Sequence, residues 1–102
     1  MKILFKAPGE PAEVREIENR QEVLERLVGG YIEVVHAGGP LRFIVNEEGK
    51  LLDLKPNVFS PMLDVLVGSV IATAYDGEGN FRSLTAEEIK LCQEYFTDCE
   101  VY

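Results

Sequence analysis

The stretch over residues 28–57, VGGYIEVVHAGGPLRFIVNEEGKLLDLKPN, limits what this chain can fold into more than any other. Runs rich in β-branched and aromatic residues alternate there with glycine-bearing turns, which is the pattern of antiparallel strands joined by tight connections. Residues 31–36 place Ile32 and Val34 on one face and Tyr31, Glu33 and Val35 on the other. Residues 37–40 turn the chain, and residues 41–46 return with Leu41, Phe43 and Val45 on one face. Asn46-Glu47-Glu48-Gly49 has the composition of a type I turn ending in a glycine. Residues 51–54 then read as the third leg of an antiparallel meander.

On either side the chain supplies what such a sheet needs. Residues 1–6 alternate Met1, Ile3 and Phe5 against Lys2 and Lys6, a half-buried strand, and residues 12–17 offer a second one anchored by Val14. Asn19 and Glu22 have capping-box spacing ahead of a helix over about 20–28, striped by Val23, Leu24, Leu27 and Val28 and closed by Gly29. Residues 55–61, bracketed by prolines, read as a loop. Residues 65–75 are the most apolar segment and predict a central strand, with Gly68 marking a bulge or a close backbone approach. Residues 76–80 predict a hairpin turn into residues 81–83. Thr85 and Glu88 repeat the capping box, and Ile89, Cys92, Tyr95, Phe96 and Cys99 share one face of a second helix ending near Thr97 or Asp98. The expected fold is α+β: one domain over residues 1–102, a mostly antiparallel sheet of meander plus hairpin, with two short amphipathic helices.

Length and charge remove several classes of function. A chain of 102 residues has room for a single core, burying about 65% of its unfolded surface. Its net charge is −8, with nine acids against seven bases in residues 1–51 and nine against three in residues 52–102. A surface of that sign repels phosphate backbones, so direct binding to nucleic acid is not expected. The two cysteines, Cys92 and Cys99, lie too far apart along one helix for a disulfide, about 10 Å of rise. No secretory pattern opens the chain and no apolar run is long enough to span a membrane, so a cytoplasmic location is expected.

No residue pattern announces a reaction. His36 is the sole histidine, which rules out a histidine-rich metal site. Asp76, Glu78 and Asn80 have the spacing of a calcium loop without its terminal bidentate glutamate, and hairpin chemistry explains them better. The glycine pairs lack the lysine and hydroxyl of a phosphate cradle, and Cys92 falls among core residues. The polar residues to watch are Tyr31, Asn46, Glu47, Asn57 and Tyr75. They serve either as local turn anchors or, brought together by loops, as a small polar pocket or docking edge. No cofactor and no metal is expected.

The string VGGYIEVV, followed by IVNEEGKL, LKPN and VGSVIAT, resembles a domain-of-unknown-function family, number 3846, found in bacteria and especially on phages and other mobile elements. The likeness runs from the first strand to the last helix. It implies a compact cytoplasmic domain of bacterial or mobile-element origin and carries over no functional residue. The resulting expectation is a small accessory protein that binds another protein, with a homo-oligomer as a further option. The alternatives are a small-ligand binder or sponge, or an inhibitor of a host defence system. An enzyme is the reading the residues support least.

Overall fold

Val70–Tyr75 is buried along all but its last residue and occupies the centre of the sheet, with a strand hydrogen-bonded on each side. The computed structural model describes residues 1–101. In chain order it contains β1 (Lys2–Lys6), β2 (Glu13–Glu16), α1 (Gln21–Val28), β3 (Ile32–His36), β4 (Leu41–Asn46), β5 (Pro56–Phe59), β6 (Val65–Val67), β7 (Val70–Tyr75), β8 (Phe81–Arg82) and α2 (Ala86–Asp98). The main sheet runs β2-β1-β7-β4-β3, and β8 pairs with the end of β7. A separate two-stranded sheet joins β5 to β6. The strand pairings are antiparallel, so the α+β class read from the sequence holds.

Both faces of the main sheet are covered. On one side α1 delivers Leu24 and Val28 onto Ile3, Ile44 and Ile71. On the other, α2 brings Cys92 and Phe96, and the β5–β6 hairpin brings Val58 and Leu66, onto Leu4, Phe43 and Ala72. Phe43 lies 5.1 Å from Phe96 and 5.4 Å from Tyr95 between ring centroids. Fully burying a side chain of this size contributes about 1.5–3 kcal/mol. Double coverage explains why β7 reads as a continuous apolar run and not as an alternation.

The ends of the helices follow their local chemistry, with one exception. Thr85 and Glu88 form the expected capping box, Glu88 N–H donating to Thr85 Oγ1 at 3.2 Å and Thr85 N–H to Glu88 Oε1 at 2.9 Å. Arg82 grips the same carboxylate through both terminal nitrogens, and this holds the Glu88 carboxyl down at about 2 against its burial. Gly29 closes α1 at φ 80°, with Gly29 and Gly30 N–H both donating to Glu25 O. Asn19, however, does not cap α1. The N-cap is Arg20, without a side-chain bond, and Asn19 Nδ2 donates instead to Phe81 O at 2.9 Å, pinning α1 to β8.

Three further expectations are corrected. Residues 51–54 form turns and not a strand, because β4 already has β3 and β7 on its two sides and offers no edge to a third leg. Leu52 N–H and Leu54 N–H turn back to Glu48 O and Gly49 O. The apolar run 65–75 is two strands. At Gly68, φ 75°, the chain leaves one sheet for the other, and a Cβ there would sit 2.8 Å from Leu54 Cδ1. Residues 55–61 are not a loop throughout, since Pro56–Phe59 pairs with Val65–Val67.

Lys6 also departs from the alternation read in β1: it is 2% exposed instead of facing water. Its Nζ donates to Asn57 Oδ1 at 2.8 Å and to Glu100 Oε1 at 2.9 Å. Asn57, fully buried, returns both amide protons, one to Lys6 O and one to Gly68 O, each at 2.8 Å. The segment after α2 completes this seam, with Phe59 N–H donating to Cys99 O and Val101 N–H to Asn57 O, both at 2.9 Å. A buried ammonium is tolerated only where its donors are met: Glu100 supplies the opposite charge and Asn57 a neutral acceptor. Asn57→Ala removes one acceptor of the lysine, which keeps Glu100, and leaves the carbonyls of Lys6 and Gly68 without that donor. The expected loss is about 3 kcal/mol, read as a lowered urea midpoint at unchanged slope; a loss under about 1 kcal/mol would show that the seam carries little.

Candidate functional site

The polar residues singled out in the sequence do not converge. Tyr31, 68% exposed, follows the α1 cap, and its carbonyl accepts from Glu47 N–H at 2.8 Å. Asn46 is buried at the end of β4, where Nδ2 donates to Val28 O at 3.2 Å and Oδ1 accepts from Glu48 N–H at 2.8 Å. These two residues share a shallow groove below the end of α1 with Glu22, Arg26 and Leu52. Tyr75 lies at the other end of the sheet, its ring 5.0 Å from that of Phe81 and under the Arg42 guanidinium at 4.8 Å. Asn57 is sealed in the seam described above. Asn46 and Asn57 are thus anchors, Asn46 bonded to backbone groups and Asn57 to backbone and to Lys6 Nζ, and apart from the groove that Asn46 shares with Tyr31 these residues do not meet.

The remaining polar side chains have local roles. Among the described residues no cluster of three or more histidine, cysteine, aspartate or glutamate side chains is placed to hold a metal ion. His36 is exposed at the end of β3, its Nδ1 accepting from Gly38 N–H at 3.2 Å. Asp76 Oδ1 accepts from Asn80 and Glu78 N–H, which holds its carboxyl below the ordinary range and closes the hairpin turn as its residues suggested.

A different surface stands out. At the β5–β6 tip the large apolar side chains of Met62 and Leu63 are 85% and 80% exposed, and Leu51 in the turn after β4 is comparably so at 83%. Leu63 also takes φ 64°, a left-handed conformation that a branched side chain enters at a cost of about 1–3 kcal/mol. The tip is closed across its base by Ser60, whose N–H donates to Asp64 O at 2.7 Å while Leu63 N–H donates to Ser60 O at 2.9 Å. Lys50 ties it to the turn after β4 through Asp64 Oδ1 at 2.6 Å. That turn exposes Leu51 and Leu52. Between the tip and β3 runs a groove of about 320 Å³, lined by Glu33, Val35, Val45, Glu47, Met62 and Leu66.

The groove is bordered by an open sheet edge. Tyr31 O accepts from Glu47 N–H and Ala37 N–H donates to Leu41 O, which sets the odd-numbered residues of β3 as the ones bonded to β4. The N–H and C=O groups of Ile32, Val34 and His36 therefore point outward, and no partner meets them among the described residues. At the opposite edge β2 is four residues long and three of them are charged, a common protection against unwanted pairing. β3 has five residues, IEVVH, and no proline or lysine. Sequence reasoning reads β3 correctly as a strand but carries no signal that it would be an edge. Met62 and Leu63 are detectable as apolar residues set between Ser60 and Asp64 in a turn.

The Cys92 thiol, packed against the sheet, is pushed up to about 11, first by burial and then by the nearby Glu88 carboxylate. The thiolate is the reactive form. Under native conditions at neutral pH, iodoacetamide is expected to leave Cys92 unmodified, and in urea to modify it together with Cys99, as read by peptide mass spectrometry. Fast native modification of Cys92 would return it to the list of nucleophiles.

The comparisons with known proteins give a family and no activity. No curated protein and no solved structure matches the chain. One family model does, over residues 1–97, and so covers every element from β1 to most of α2. The chain belongs to the family described as Domain of unknown function (DUF3846).

Proposed function

We propose that this protein is a small non-catalytic accessory module whose work is to bind another protein. The observation that carries the reading is the presentation of Met62 and Leu63 at a hairpin tip, in water and on a strained backbone, beside a groove and an open strand edge. Isolated apolar residues on a surface need no explanation, but two adjacent ones held out by a hydrogen-bonded turn do. Burying them against a partner recovers about 1.5–3 kcal/mol apiece. The ligand-binder reading has less behind it, because of Tyr31, Asn46, Asn57 and Tyr75 only Tyr31 and Asn46 share a groove. The setting we propose is the bacterial cytoplasm, on a phage or other mobile element, as the family resemblance implies. The unpaired thiols of Cys92 and Cys99 fit a reducing compartment.

The test is site-specific photo-crosslinking in the native host. A benzophenone side chain placed at Met62 is expected to give a discrete adduct with one protein. The same group at Leu91, an exposed apolar residue on α2, is expected to give none. Equal labelling from the two positions, or no adduct from Met62, would contradict the reading.

A further inference from the structure

We infer that β3 receives an extended, basic segment of the partner as an added strand. This rests on the protein-binding reading above and specifies how the partner docks. The outward N–H and C=O groups of Ile32, Val34 and His36 form a ready ladder, and main-chain bonds to such a ladder supply affinity without regard to side chains. Specificity must then come from the residues that alternate above and below the new strand.

On the groove face those neighbours are Glu33 and Val35, with Glu47 behind them. Glu33 and Glu47 make no ion pair among the described residues, whereas the one lysine of the groove, Lys50, is already engaged by Asp64 at 2.6 Å. The groove thus holds two uncompensated carboxylates on a chain of net charge −8. A segment that sets a lysine or arginine opposite Glu33 and an apolar residue opposite Val35 satisfies both. The apolar side chain would lie toward Met62. On the other face Ile32 and the partly exposed Val34 ask for a small apolar residue. A second copy of this chain fits less well, since it would bring another −8 to the same edge.

The probe is a short synthetic peptide repeating Lys-Val-Val-Val, which sets lysine opposite Glu33 and valine opposite Val34 and Val35, titrated into the isotope-labelled full chain and followed by amide chemical shifts. Saturable shifts are expected at Ile32, Val34 and His36, weakening as salt is added. The peptide N-methylated along the bonding edge, and one with glutamate for lysine, should each produce no saturable shift. Glu33→Lys should weaken binding about tenfold, the effect of turning one exposed attraction into a repulsion. Val34→Pro should abolish binding with the fold intact, because proline is tolerated where the N–H faces out of the sheet. Shifts spread over the whole acidic surface, or equal binding of the glutamate peptide, would overturn the inference. So would edge shifts that depend on protein concentration without peptide, which would make a second copy the occupant. If the Met62 adduct forms while the edge amides stay still, strand addition fails and the protein-binding reading stands.

Discussion

A lysine ammonium almost shut off from water holds the two sheets of this protein together. Lys6 belongs to β1 of the main sheet, and its acceptors, Asn57 and Glu100, come from the small sheet and from the segment after α2. A charge in that position costs several kcal/mol unless its protons are met, so the fold must keep β5 and the C-terminal segment where they are. Asn57 makes the tie reciprocal, since its amide also satisfies the carbonyls of Lys6 and Gly68. From this follows the placement of the hairpin that seals Val58 and Leu66 against the sheet. The hairpin tip is then delivered beside β3.

The molecule is accordingly closed on one side and open on another. Its seam is dense with satisfied polar groups, and among the described residues no buried side-chain nitrogen or oxygen is left without a partner. Along β3 the reverse holds. Backbone groups, carboxylates and apolar side chains lie next to one another with nothing to meet them, and Leu63 is held in a conformation that its own chemistry disfavours. Strain of this kind persists where the surrounding structure imposes it, and it clusters at sites that act on something else.

Much of this architecture is legible in the residues. The β3–β4 hairpin, the helix ends at Gly29 and Thr85, and the close backbone approach at Gly68 all follow from local chemistry that tertiary structure does not override. What is not legible depends on neighbours. Lys6 sits in an alternating pattern that predicts solvent, and only coverage of both sheet faces buries it. Residues 51–54 have the makings of a strand but no edge to join, because β7, distant in sequence, has taken the place beside β4. Asn46 and Asn57 read as polar groups that fix turns, yet each is also tied to backbone groups far along the chain. The candidate surface escapes the sequence for the same reason: whether a strand is central or at an edge is a property of the whole sheet.

The account stands on the openness of β3, and native-state hydrogen exchange resolves it amide by amide. The amides of Ile32, Val34 and His36 are expected to exchange at close to the rate of an unstructured peptide, while their neighbours Glu33 and Val35, bonded to β4, exchange orders of magnitude more slowly. Equal protection along the whole of β3 would mean that its outer side is already occupied, and the surface described here would not be free to bind.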